Sequence, residues 1–327
     1  MSLPLQCTAA VNPLPRKAPR RLRLAQCLCR WLPPIISMRL RSLVYPQKIA
    51  FQDGFTFRVR AKTGSMFCGS TSDFHGYLFS VHGYYEWRNW ALAASLCSPG
   101  DTVLEIGANV GTETVGFRDI VGAQGKVFAF EPAPMNLAAL RQLVNLNHWE
   151  NVHIIPMALG DREGNVSFAM PPDKHSSGVG YVAETTADIS SRSIEVQCSR
   201  LDALAGMVGA AKMIFCDTEG AETRVLRGAN SYIQRHRPAI VLEASPKLLL
   251  RAGSSLAELL ETVLSAGYRA FAIGRLGLSP ISNLTPRRAG NWLCLHASEP
   301  SLLKQCSREI LRCALLPCIR GLNPLCR

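Results

Sequence analysis

Hydrophobic and polar positions settle into a regular alternation after residue 100. Short apolar runs of strand length occur at Thr102–Ile106, Lys126–Phe130, Val152–Met157, Lys212–Cys216, Ala239–Glu243, Tyr268–Ile273 and Asn291–His296. Between them lie stretches with helical spacing: Val110–Val121, Pro134–Asn147 with proline in its first turn, a segment from Ala221, and one around 255–266. This spacing predicts an α/β fold, a mostly parallel seven-stranded sheet with helices on both faces. Such sheets bind ligands outside the carboxyl ends of their strands, so chemistry belongs at the tips of the first four.

Upstream the pattern is less regular. Residues 1–47 are basic and punctuated by proline, with one or two amphipathic turns at Arg39–Leu43. Ile49–Arg60 reads as β, with a hairpin turn offered by Asp53-Gly54. Residues 63–83, rich in Gly, Ser and His, read as loop. Glu86–Leu96 has helical spacing and stops at Ser98-Pro99-Gly100. Within the body, 160–197 is a polar excursion with a possible hairpin. The expected organisation is a basic segment (1–47), an extension of hairpin and helix packed on the core (48–99), the core domain (100–297) and a basic, Cys-containing tail (298–327).

Composition narrows the classes. The chain's 327 residues, 47% hydrophobic and 18% charged, describe a globular core rather than a disordered chain. Leu32–Met38 holds two prolines and is too short to span a bilayer, and prolines and arginines interrupt the place of a secretory h-region. The expectation is a cytoplasmic protein. The net charge of +12 sits at the ends: residues 1–50 carry nine Lys and Arg and no acid, and residues 299–327 carry five against two Glu. A neutral body argues against a nucleic-acid groove. The basic ends are either solvated, poorly ordered tails or a peripheral contact with a membrane surface. Twelve cysteines include no C-x-x-C pair, so they are expected as reduced thiols filling apolar space, and no metal site is expected.

The first tip reads Val103-Leu104-Glu105-Ile106-Gly107-Ala108-Asn109-Val110-Gly111. A dinucleotide fingerprint is G-x-G-x-x-G, whose bare backbone receives a pyrophosphate. Here the middle position is Asn109 and an acid closes the strand. A carboxylate repels pyrophosphate but suits a ligand carrying an ammonium group, such as the methionine end of S-adenosylmethionine (SAM). At the second tip Glu131 stands where an acid accepts hydrogen bonds from ribose hydroxyls, which serves SAM and NAD alike. The fourth tip, Cys216-Asp217-Thr218-Glu219-Gly220-Ala221-Glu222, holds three acids in six residues. They either cap the following helix or supply a carboxylate that orients or deprotonates an acceptor hydroxyl.

The blocks E-I-G-A-N-V-G-T, F-A-F-E-P-A-P, A-L-G-D-R-E-G, C-D-T-E-G-A-E-x-x-V-L-R-G-A and R-P-A-I-V-L-E, spread over roughly 84–297, resemble the FkbM family of SAM-dependent methyltransferases in its order. The resemblance implies a class I methyltransferase (Rossmann-like) fold, SAM as methyl donor, and O-methylation of a sugar or natural-product hydroxyl. It carries the cofactor role onto Glu105, Gly107, Asn109, Gly111 and Glu131, and places Asp217, Glu219 and Glu222 at the catalytic site. Two positions depart from the family: Phe215 stands where a lysine is usual, and Glu113 follows Thr112. Without that lysine the acceptor site is expected to be less cationic.

Among the histidines, His153 reads as structural, His236 as solvent-facing, and His175, in the excursion, as the one near the acceptor. The leading mechanism is direct in-line transfer to a small-molecule or glycan hydroxyl. A dehydrogenase is disfavoured by Asn109 and the absent third glycine. The alternative class is a weakened SAM-fold protein acting as a membrane-associated binding subunit.

Overall fold

The computed structural model describes residues 17–170, 177–183, 193–281 and 290–326. An N-terminal extension comprises α1 (Arg20–Cys29), α2 (Pro34–Val44), α3 (Gln47–Asp53), the hairpin β1 (Thr56–Arg60) and β2 (Met66–Ser70), α4 (Phe74–His82) and α5 (Trp87–Leu96). The core follows: β3 (Thr102–Ile106), α6 (Thr112–Val121), β4 (Lys126–Phe130), α7 (Pro134–Leu146) and β5 (Val152–Ile155). Next comes a small sheet of β6 (Ala158–Leu159), β7 (Gly164–Ala169), β8 (Tyr181–Val182) and β9 (Ser193–Ser199). The second half runs through α8 (Leu201–Val208), β10 (Met213–Cys216), α9 (Glu222–Gly228), α10 (Asn230–His236), β11 (Ala239–Ala244), α11 (Pro246–Arg251), α12 (Leu256–Ser265), β12 (Tyr268–Ile273), β13 (Leu278–Pro280), β14 (Gly290–His296) and α13 (Pro300–Leu315).

The main sheet has the order β13-β12-β14-β11-β10-β3-β4-β5. Strands β11, β10, β3, β4 and β5 pair parallel, and β14 runs antiparallel to β11 and β12. It therefore holds one strand more than expected, the three-residue edge strand β13 on β12. Alternate residues of each central strand feed two cores. Val103, Val127, Met213, Phe215 and Val241 face one side with α5, α6 and α13 residues, whereas Leu104, Phe128, Ile214, Cys216 and Leu242 face the other with residues of α9, α10 and α12. Burial on both faces is why these strands read as continuous apolar runs.

Three expectations upstream are corrected. Asp53-Gly54 is not a hairpin turn: Gly54, at φ 51°, ends α3, and the hairpin pairs β1 with β2 one turn later. The expected loop over 63–83 contains β2 and α4. Asp73 caps α4 by accepting from Gly76 N at 2.9 Å, and residues 76–82 are buried on every side, so no amphipathic period marks the helix. The basic ends are folded where they are described. Leu22, Ala25 and Cys29 of α1 pack on Tyr77, Leu78 and Val81 of α4, and Cys306, Ile310 and Cys313 bury α13 in the core that holds α5.

Candidate functional site

Two cavities open at the carboxyl ends of the central strands. The first has apolar walls from Met157, Leu159, Phe168 and Val182 and a polar end at Glu131 and Asn136. The second is walled by Phe51, Phe74, His75, Tyr85 and Glu86 of the extension, with Glu243 and Asn291 from β11 and β14. Gly107, Asn109, Gly178, Asp217 and Glu219 line both, so the cavities meet at the tips of β3 and β10.

The β3 tip is held by close backbone approach. Gly107 has φ 90°, and a Cβ there would lie 1.8 Å from the Asp217 carbonyl oxygen, so only glycine lets the two strand ends pass. Asn109, left-handed at φ 50°, donates its N–H to Glu131 Oε2 at 2.8 Å. Its Oδ1 is buried with no acceptor role filled among the described residues. Glu131, 4% exposed, accepts further bonds at Oε1 from Ala133 N (2.8 Å) and Asn136 Nδ2 (3.3 Å). Burial raises its carboxyl above the ordinary range while these donors pull it back.

Two residues expected at the cofactor line neither cavity. Gly111 lines neither cavity; a Cβ there would meet Leu143 Cδ2 at 2.5 Å and Leu140 Cδ1 at 2.8 Å, so it serves the packing of α6 on α7. Glu105 also lines neither. It is 1% exposed, accepts the Thr114 hydroxyl at 2.6 Å, and burial pushes its carboxyl up to about 8. Its register neighbour on β10 is Phe215, which packs on Phe117 with ring centroids 5.4 Å apart. Neighbours in register share a face, so a lysine at 215 would stand beside Glu105 on the α6 side of the sheet. The expected loss of positive charge from the acceptor site therefore falls instead on Glu105.

Carboxylates dominate the junction. Oxygens of Asp217, Glu219 and Glu243 lie within 4.8 Å of one another. Burial and the neighbouring Glu243 hold Asp217 well above the usual range; burial and Glu219 push Glu243 to about 8. Burial raises Glu219 to about 7, opposed by Arg251, whose Nη2 lies 3.9 Å from Oε2 and also bonds the Glu219 carbonyl at 2.6 Å. Glu219 keeps a left-handed φ of 56°. The third expected acid turns inward: Glu222 Oε1 accepts from Thr218 N (2.9 Å), Thr218 Oγ1 (3.0 Å) and Gly220 N (3.3 Å), and lines neither cavity. It folds the loop that presents Asp217 and Glu219.

Several further residues at the junction carry no motif of their own. Glu243 closes the fifth strand, where the strand-tip rule applied to the first four would have found it. His75 lines the second cavity with Nδ1 3.8 Å from Asp73 Oδ2 and 3.3 Å from Ser177 Oγ, and Nε2 3.4 Å from Asn109 Nδ2. Burial would raise Asp73, but its bonds to His75 and Gly76 outweigh that and hold it low. His175, expected at the acceptor, lies outside the described residues. Glu86 accepts from Asn291 (2.7 Å) and Asn89 (3.0 Å).

Residues 105–270 match the model of the methyltransferase FkbM domain. No curated protein matches the chain. Among solved structures the chain is similar to a methyltransferase FkbM from Methylobacillus flagellatus KT, at 15% identity and TM-score 0.41, over 84% of this chain and 58% of that one. This chain thus spans little more than half the length of that protein. It is also similar to Aeropyrum pernix fibrillarin in complex with S-adenosyl-L-methionine (16%, TM-score 0.38, 64% and 76% of the two chains). A third is a SAM-dependent O-methyltransferase from Thermotoga maritima (11%, TM-score 0.36, 73% and 77%).

Proposed function

The chain belongs to the FkbM family of SAM-dependent methyltransferases, and on that premise we propose that it methylates a hydroxyl of a sugar, glycan or natural-product acceptor held in the second cavity. The observation that carries this reading is the meeting of the two cavities at Gly107, Asn109, Asp217 and Glu219. SAM is the cofactor, and its fit to the first cavity rests on this chain's residues. Glu131 is ready to accept from ribose hydroxyls, the apolar walls suit an adenine, and the unused Asn109 Oδ1 can accept from an ammonium group. When bound, SAM supplies an electrophilic methyl carbon.

The protein's part is positioning and proton management. Asp217 and Glu243, held largely protonated by burial and mutual repulsion, can both donate to and accept from neighbouring hydroxyls of a polyol. Glu219, raised to about 7, is matched to accept the hydroxyl proton near neutral pH. Arg251 beside it favours the ionised form. His75, oriented by Asp73, stands across the same cavity and holds the acceptor's far side.

The test is formation of S-adenosylhomocysteine from labelled SAM against a panel of glycans and small polyols. With a productive acceptor, Glu219→Gln should lower kcat by roughly 10²–10⁴ while SAM affinity stays constant. Wild-type kcat should rise as pH rises through about 7, because Glu219 is then ionised, and decline again as Glu243 loses its donor proton above about 8. Full activity in Glu219→Gln would refute the base assignment. SAM binding without turnover on any hydroxyl acceptor would favour a binding subunit.

A further inference from the structure

The two basic ends of the chain build one surface. Cys318 N donates to the Trp31 carbonyl at 2.9 Å. Lys62 ties the same place from the hairpin side: Nζ donates to the Cys318 carbonyl at 3.2 Å and lies 5.0 Å from the centre of the Trp31 ring. Helix α2 packs against both α1 and α13. The N-terminal helices and the segment after α13 are thus one packed unit.

Its outward side is apolar as well as its inward side. Helix α1 buries Leu22, Ala25 and Cys29 yet exposes Leu24 and Leu28, and Trp31, two residues past its end, is 61% exposed. Across the Trp31–Cys318 bond, Leu315, Ile319 and Leu322 are also exposed. Exposed apolar side chains on segments joined by a backbone hydrogen bond go beyond the single, scattered exposure normal for a surface. The same segments expose Arg20, Arg21, Arg23, Arg39, Arg308 and Arg320. Among the described residues no helix is long and apolar enough to cross a membrane.

We propose that this face is an interfacial docking surface for an anionic lipid bilayer, with Trp31 and Ile319 entering the headgroup boundary and the arginines meeting lipid phosphates. Charge complementarity selects this occupant. The whole net charge of +12 comes from these two end segments while the body between them is neutral. A second copy on the same face would bring like charges together, whereas an anionic leaflet draws them in. An exposed tryptophan just past the end of a basic helix suits the interface level of a bilayer.

The test is flotation of the full chain with phosphatidylcholine vesicles, with and without phosphatidylserine, at low and high salt. Binding should require phosphatidylserine and be lost at high salt. Trp31→Ser with Ile319→Ser, and separately Arg20→Gln with Arg21→Gln and Arg23→Gln, should each weaken vesicle binding about tenfold or more. SAM affinity should be unchanged, which shows that both variants are folded. Trp31 emission should shift to the blue on phosphatidylserine vesicles and be quenched by bromine-labelled lipid tails. Absence of vesicle binding, equal binding to neutral vesicles, or a dimer in solution abolished by Trp31→Ser would each overturn the proposal.

Discussion

Glu105→Gln isolates the cost of a buried carboxyl without a cationic partner. Glu105 accepts one hydroxyl bond, from Thr114 at 2.6 Å, and its neighbour in register is the apolar Phe215. A carboxyl moved from 4.5 to about 8 stands for at most about 5 kcal/mol between its two protonation states. Because the folded value is raised, the unfolded chain releases this proton near pH 4.5 while the fold retains it. Stability therefore falls as pH rises from about 4.5 to about 8, and levels above that. Glutamine keeps an acceptor for Thr114 and has nothing to ionise. Urea unfolding of both proteins without SAM, at pH 5 and pH 8, should show Glu105→Gln gaining several kcal/mol on wild type at the higher pH, and little at the lower. The other raised carboxyls are common to both proteins, so they cancel in the difference to the extent that they act independently. Parallel pH dependences would refute the reasoning. Since Glu105 lines neither cavity, SAM affinity should stay within about threefold, or ~0.6 kcal/mol. A large loss would restore Glu105 to the cofactor's ammonium, where the strand-end acid was expected.

Other outcomes follow from the same geometry. Glu131→Gln keeps one carbonyl oxygen but sets its amide N–H against a backbone donor, Asn109 N or Ala133 N; it should weaken SAM by about 1.5–3 kcal/mol in calorimetry on folded protein. Gly111→Ala should lower stability by about 1–3 kcal/mol through overpacking on Leu143 and Leu140, yet leave SAM affinity of the folded fraction intact. Removing residues 298–327 strips Cys306, Ile310 and Cys313 from the core shared with α5, so the shortened chain should lose its cooperative thermal transition; an unchanged Tm would show that α13 adds nothing to the core.

The sequence by itself determined the sheet, its strand tips and the cofactor, because each rests on local pattern. A doubly covered parallel strand is a continuous apolar run, and a tight turn beside a neighbouring strand demands glycine at 107, whatever the rest of the chain does. Asn109, Glu131, Asp217 and Glu219 stand at strand ends, where topology leaves them facing the cavities. Tertiary structure decided what each acid does. Glu105 and Glu222 carry the same carboxyl group as their neighbours at the tips, but one turns under the sheet to Thr114 and the other turns back onto its own loop. No spacing rule sees which way a side chain turns. The second cavity was legible only as a region, since Phe74, His75 and Glu86 come from an extension within 49–97 whose approach to the tips no local pattern shows. Helix α4, which carries two of them, is buried on every side over 76–82 and so lacks the periodicity by which a surface helix is read. The ends misled for the opposite reason. Proline and arginine suggest a solvated tail, and only the packing of α1 on α4 and of α13 on α5 gave their apolar residues somewhere to be buried.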